Sequence, residues 1–323
     1  MSITVILCTY NRCQSLAKAM ESVAASVVPE SVEWEVLVVD NNSPDQTREV
    51  VDGFCNRFPY RFRYLHEPKQ GKSNALNSGI RAAKGNLLAF MDDDVLVEPT
   101  WLHNLTAPLQ SGEWSGTGGR ILSQEVVSAP DWLDLNGPYD VSGMLALFDL
   151  GDQAGELDRP PFGTNMAFPK AIFEEYGGFR TDMGPCPGSE IRNEDTEFGR
   201  RLTAGGERLW YEPSAVVYHA VPKSRLTQEY LLRFWFDSGR ATVRENNKRP
   251  DIWGIPRWCL TIPKIAVTVL PVRLFHWLFA LNPKRRFFYK GFVWMTFGQI
   301  VEHRRLWVER NKQSAQLQVT EAK

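Results

Sequence analysis

The chain has 323 residues, which at roughly 150 per domain suggests one large or two ordinary domains. It is 43% hydrophobic, 12% aromatic and 23% charged, a globular composition too apolar for a disordered chain. With 37 Lys and Arg against 38 Asp and Glu the net charge is −1, which excludes a chain that holds polyanions by bulk charge.

The first hundred residues alternate strand and helix patterns. Residues 3–8 form a short β-branched apolar run that ends in the polar Thr9-Tyr10-Asn11-Arg12. A helical stripe follows at Leu16, Met20, Val23 and Val27, in steps of three to four. Residues 34–39 read as a second buried strand, closed by Asp40-Asn41-Asn42-Ser43-Pro44-Asp45, a turn cluster that can also start a helix. Residues 62–65 read as a third strand, 72–84 as a helix stopped by Gly85, and 87–91 as a fourth strand running into Asp92-Asp93-Asp94. Apolar strands alternating with helices imply an α/β fold with a mainly parallel sheet flanked by helices. Ligands of such sheets bind outside the carboxyl ends of the strands, where all three polar clusters fall.

Further along, residues 116–122 and 163–168 read as strands, the latter leading into a helix stopped by Gly177-Gly178. Residues 131–158 form an excursion rich in Gly, Asp, Trp and Leu, and 183–189 a Gly/Pro loop. A helix from about Asn193 ends at Gly205-Gly206, 215–219 is a strand, and 226–247 has the periodicity of a long helix. The expected division is an α/β domain over residues 1–240 and a basic, aromatic helical extension over 241–323.

Five cysteines, an odd number without a Cys-x-x-Cys pair, argue against a zinc ribbon or a disulfide framework and fit a reducing, cytoplasmic compartment. The chain opens directly on a strand, so no signal peptide is expected.

Three adjacent carboxylates repel one another, so Asp92, Asp93 and Asp94 at a strand end suggest a hard cation such as Mg2+ or Mn2+, or a set of hydroxyls. A solvated acidic turn is the alternative. Asp195, in Asn193-Glu194-Asp195, stands at a helix start whose dipole favours the ionised form, so it can accept a proton from a hydroxyl. The bland alternative is a helix-capping acid. His219 follows an apolar strand, and its neutral imidazole can complete a divalent site. A structural histidine is the competing reading. A dinucleotide fingerprint and a P-loop are both missing, which demotes hydride transfer and ATP hydrolysis.

These pieces, with Val38 to Ser43, Gly71-Lys72-Ser73-Asn74-Ala75-Leu76-Asn77-Ser78-Gly79, Gly163-Thr164-Asn165-Met166 and Asn193 to Phe198 in order, give the chain a specific resemblance. It resembles an inverting family 2 glycosyltransferase of the GT-A fold across about residues 3–240. The resemblance implies a Rossmann-like nucleotide half and an acceptor half. It implies that Thr9, Tyr10, Arg12, Asp40 and Lys72 bind the nucleotide, and that Asp92 and Asp93 face the sugar-nucleotide. Asp94 would ligate a Mg2+ or Mn2+ ion, His219 would lie near it, and Asp195 would be the catalytic base. Asn193 stands where many relatives have Gly. The Gln-x-x-Arg-Trp motif of processive synthases is missing, so transfer of one sugar per event is expected. The implied partners are a nucleotide-diphosphate sugar donor and a saccharide or lipid-linked acceptor, in surface polysaccharide or glycolipid assembly. A nucleotidyltransferase, which shares the sheet and acidic site but needs a Gly-rich phosphate loop, and a non-catalytic sugar-binding module are the alternatives.

Residues 252–323 carry twelve Lys and Arg against three Asp and Glu, interleaved with Trp, Phe and Leu. Such segments suit an anionic membrane surface, with a homodimer contact as the other use. Nucleic acid is not expected, because no nucleic-acid motif accompanies them. Lys264, Pro271, Arg273 and His276 interrupt the apolar run 259–281, a poor spanning helix that fits peripheral attachment inside the cell membrane.

Overall fold

A computed structural model describes residues 1–189, 191–246, 251–252 and 255–321. Its contacts divide the chain into two compact units. The first is Met1–Val127, Leu145–Ser189 and Asn193–Val221; the second is Ser128–Met144, Glu190–Arg192 and Pro222–Lys323.

The first unit is a sheet covered by helices. Its early elements are β1 (Ser2–Thr9), α1 (Cys13–Ala24), β2 (Glu33–Asp40), α2 (Thr47–Arg57), β3 (Phe62–His66), α3 (Lys72–Ala82) and β4 (Leu87–Asp92). Then come β5 (Val95–Val97), α4 (Trp101–Thr106), β6 (Gly116–Ser123), β7 (Gly155–Glu156), β8 (Asn165–Pro169), α5 (Lys170–Tyr176), α6 (Glu194–Ala204) and β9 (Leu209–His219). The strand order is β3-β2-β1-β4-β8-β6-β9-β5, with β7 paired to β9. The first four strands are parallel, as their uninterrupted apolar runs require: Val5, Ile6 and Leu7 of β1 and Val36 to Val39 of β2 are fully buried. The second half is mixed, because β8 enters between β4 and β6 antiparallel to both. The order 3-2-1-4 puts a crevice at the carboxyl ends of β1 and β4, where Cys8 is paired with Asp92 and Thr9 with Asp40.

Several differences from the sequence expectation have local causes. Helix α1 buries Leu16, Met20 and Val23 but ends at Ala24, leaving Val27 exposed, with its N–H bonded to the Pro99 carbonyl (2.7 Å). The strand expected over 215–219 is the end of one long strand, β9, in which Pro213, Ser214 and Ala215 form a bulge opposite Gly119 and Arg120. The excursion at 131–158 is divided: residues up to Met144 belong to the second unit, while Phe148 pairs with Ile121 of the first.

A cluster of aromatic rings fixes the helix that carries Asp195. Phe198 of α6 is fully buried and stacks on Phe173 of α5 at 4.7 Å, with Phe168 of β8 edge-on at 5.3 Å and Phe179 at 5.0 Å. Phe90 of β4 joins Phe168, Phe173 and Phe179. Each such pair is worth about 0.5–1.5 kcal/mol beyond area burial, so α6 is anchored to β4 and β8 by several of them.

The second unit is helical: α7 (Gln228–Glu245), a two-strand hairpin of β10 (Asp251–Ile252) and β11 (Ile255–Pro256), α8 (Arg257–Lys264), α9 (Leu270–Phe279) and α10 (Pro283–Glu321). A boundary at residue 240 would cut α7. Helices α7 and α10 meet backbone to backbone. A Cβ on Gly239 would lie 2.0 Å from the Met295 carbonyl oxygen, and one on Gly298 1.9 Å from that of Phe236. Among the described residues no helix is long and apolar enough to cross a membrane.

Candidate active site

The residues singled out from the sequence converge at one rim of the first unit's sheet, and nearby chain segments set each of them. Asp45 closes the loop after β2 onto α1, accepting the Cys13 N–H at 2.9 Å. Asn41 of the same loop donates to the carbonyls of Glu67 (3.1 Å) and Lys69 (2.9 Å) and accepts the Gly71 N–H at 2.7 Å. That ties the start of α3 to β2. The loop 183–189 completes the hold: the Pro185 carbonyl accepts the Lys72 N–H (2.9 Å), and that of Met183 accepts the Ser73 hydroxyl (2.8 Å).

Lys72 is thereby aimed at carboxylates. Its ammonium lies 2.7 Å from Asp92 Oδ1 and 3.6 Å from Glu194 Oε1. Burial disfavours its charge, but Asp92 first and then Glu194 raise its pKa above the ordinary lysine range. Burial likewise works against Asp92, yet the Lys72 ammonium and the Thr164 hydroxyl, 2.8 Å from Asp92 Oδ2, hold that carboxyl at about 2. Burial pushes Glu194 up to about 7 against the pull of Lys72, with Asp195 adding to the rise.

The other two members of the triplet face β1. Asp93 is buried and accepts the Thr9 hydroxyl at 2.7 Å. The Arg12 guanidinium spans Asp93 Oδ1 (3.1 Å) and Asp94 Oδ2 (2.9 Å). Burial pushes the Asp93 carboxyl up to about 6 even with Arg12 beside it. Asp94 Oδ1 lies 3.5 Å from Nε2 of the buried His219, because β9 ends beside β5, with Val95 and His219 in register. Carboxylate oxygen and imidazole nitrogen together suit one divalent cation that keeps open positions for phosphate oxygens. Among the described residues no group of three or more His, Cys, Asp and Glu could hold an ion alone.

Asp40, at the end of β2, is buried and accepts the Ser43 N–H (2.9 Å) and the Tyr64 hydroxyl (2.7 Å). Burial and the Asp40 bond push Tyr64 up to about 12. Tyr10 is exposed on the loop after β1.

Asp195 reaches this cluster through two consecutive residues. Its Oδ2 accepts the Gly163 N–H at 2.6 Å, while the next residue, Thr164, bonds Asp92. A Cβ on residue 163 would lie 3.1 Å from that same oxygen, so a side chain there would press the carboxylate back by a few tenths of an ångström. Its Oδ1 accepts the Thr196 N–H at 2.6 Å. Glu194, Thr164 and Tyr64 were not singled out as site residues from the sequence. Nothing local marks Tyr64, whereas Thr164 had a signal in Gly163-Thr164-Asn165-Met166 and Glu194 in its position beside Asp195.

Asn193, which precedes α6, has φ +75°, the left-handed region open to glycine and tolerated by asparagine. Asn193→Gly is expected to leave stability within about 1 kcal/mol, and Asn193→Val to cost about 1–2 kcal/mol, read by urea denaturation.

The glycosyl transferase family 2 model matches residues 4–177, more than half of the chain. Over 245 residues the chain is 27% identical to the succinoglycan biosynthesis protein ExoM of Rhizobium meliloti, covering 76% of this chain and 75% of that one. Over 242 residues it is 26% identical to a glucosyl-dolichyl phosphate glucuronosyltransferase of Haloferax volcanii, covering 73% and 75% respectively. In fold it is similar to a mannosyltransferase from Pyrobaculum calidifontis solved in complex with GDP-Man and Mn2+. The TM-score is 0.61 at 18% identity, over 92% of this chain and 86% of the other. The mixed sheet with its flanking helices is thus a GT-A fold. The family match over more than half the chain and the glycosyltransferase relatives lead to one conclusion: the chain belongs to glycosyl transferase family 2 and is a glycosyltransferase.

Proposed function

We propose that the protein moves one sugar from a nucleotide-diphosphate sugar to an acceptor hydroxyl, with inversion and with a divalent cation, Mg2+ or Mn2+. The observation that supports this is the bonded path from Asp195 through Gly163 and Thr164 to Asp92, which brings the Asp195 carboxylate beside the acidic triplet.

In this reading Asp40, Thr9, Tyr10 and Arg12 hold the nucleoside, while Lys72, Asp92 and Asp93 line the sugar and phosphates. Asp94 and His219 would hold the cation, which when bound neutralises charge on the departing diphosphate. Asp195 takes the proton from the acceptor hydroxyl as its oxygen attacks the anomeric carbon. That attack comes from the face opposite the diphosphate, so the anomeric configuration inverts. The N–H groups of Gly163 and Thr196 hold both carboxylate oxygens of Asp195, which keeps the base aimed. The missing Gln-x-x-Arg-Trp motif supports one transfer per encounter. The names of the relatives support a role in polysaccharide or glycoconjugate assembly, with a saccharide or lipid-linked acceptor.

A thermal-shift panel of sugar nucleotides with and without Mn2+ tests the donor reading, and NMR of the product's anomeric proton tests inversion. Stabilisation by no sugar nucleotide, or a retained anomer, would overturn it. Asp94→Asn is expected to weaken Mn2+ binding in the presence of donor by about tenfold or more, followed by the loss of the free Mn2+ EPR signal. Unchanged Mn2+ binding would remove Asp94 from the site.

A further inference from the structure

Helices α8 and α9, joined by one wide turn over Ile265–Val269, leave an apolar stripe uncovered. Leu260, Val267, Val272, Phe275 and Phe279 recur along it at helical spacing, and Leu281 follows. Val267 is 76% exposed, Phe279 68% and Leu281 97%. Side chains of this size are scattered singly on ordinary surfaces, and a continuous row of them marks a contact.

The other side of α9 is already occupied. Arg273 donates to the Phe292 carbonyl (2.9 Å) and the Thr296 hydroxyl (2.5 Å) of α10. His276 stacks on Tyr289 at 4.4 Å, and Trp277 meets Trp294 edge-on at 5.8 Å. Packing on α10 therefore does not account for the exposed stripe.

Charge decides what covers it. From Ile252 to Val301 the chain holds seven Lys and Arg and no Asp or Glu. Lys264 lies exposed within the stripe and Arg286 just beyond it. Two such faces from two copies would bring like charges together, whereas anionic headgroups complement them while acyl chains take up the apolar row. Pro263, Lys264, Pro271 and Arg273 interrupt the run, which suits a helix lying in the interface rather than crossing it.

We propose that this face of α8 and α9 docks the enzyme on an anionic phospholipid surface. The proposal deepens the lipid-linked reading of the acceptor, since docking would hold the enzyme where such an acceptor resides.

The test is co-sedimentation of the full chain with phosphatidylglycerol/phosphatidylcholine vesicles and with phosphatidylcholine vesicles, at low and high salt. Binding is expected to the anionic vesicles and to weaken with salt. The double variant Phe275→Ser/Phe279→Ser, both residues being exposed and therefore dispensable for folding, is expected to bind about tenfold or more weakly. Its circular dichroism and its Mn2+-dependent hydrolysis of the sugar-nucleotide donor should match the unmodified protein. Failure to pellet with anionic vesicles would overturn the proposal, as would a double variant that pellets equally. So would a dimer seen by light scattering that the double variant abolishes. A protein that hydrolyses donor but ignores vesicles loses only the docking face. One that binds vesicles yet turns over no sugar nucleotide loses the transferase site instead.

Discussion

Asp195→Asn is expected to lower turnover by about 10²- to 10⁴-fold, the range by which a positioned general base contributes, while donor affinity stays within a few-fold. The reason lies in what the amide keeps and loses. Asparagine fills the same space and retains one carbonyl oxygen for the Gly163 or the Thr196 N–H, but it cannot accept the proton of an attacking hydroxyl. One of those two N–H groups loses its acceptor, so a stability loss of about 1 kcal/mol should accompany the change. The measurement pairs nucleoside-diphosphate release with donor titration. Turnover within a few-fold of the unmodified enzyme would exclude Asp195 as the base. A collapse of donor affinity would instead make Asp195 a binding residue.

Glu302→Gln is expected to destabilise the second unit by about 3–5 kcal/mol. Glu302 of α10 is fully buried and meets three cations: Arg240 at 3.0 Å, Arg244 at 2.8 Å and Arg305 at 2.5 Å. Removing its charge leaves three guanidinium groups facing one another between α7 and α10. Burial alone would raise its pKa, but the Arg305 and Arg244 bonds outweigh it and hold the carboxyl at about 2, against an ordinary 4.5. A folded pKa below the unfolded one means that the stabilisation is complete above about pH 4.5 and is lost as pH falls toward 2. The whole effect is about 3 kcal/mol. Urea denaturation at neutral pH and at about pH 3 should show the gap between the unmodified protein and Glu302→Gln narrowing in acid. A gap that stays constant would show that the charge of Glu302 contributes nothing.

Much of the first unit was legible because its elements are written locally. Strand β1 and α1 announce themselves through β-branched runs and a three-to-four spacing that neighbouring residues alone create. Where tertiary pairing overrode the local signal, the reading failed. The strand expected at 215–219 begins at Leu209, because β6 pairs with β9 on both sides of the bulge at Pro213, which would otherwise break the strand. Strand β5 has only three residues, too short to show a period, and exists because β9 offers it a partner. Residues 131–144 read as one excursion with those up to 158, yet they pack with the second unit.

The site divides in the same way. Thr9, Arg12, Asp40 and the Asp92 triplet could be placed together from sequence, since each ends or follows an apolar strand of one parallel sheet. Strand ends meet by topology, which periodicity reveals. The meeting of Asp195 with Asp92, about a hundred residues apart, depends instead on α6 being pinned by Phe198 and on the bonds that Gly163 and Thr164 make to the two carboxylates. So does the burial of Glu194 against Lys72. Sequence alone thus determined which chemical groups the chain possesses and which strand ends carry them. Only tertiary structure decided their distances and desolvation, because both arise from contacts between segments far apart along the chain.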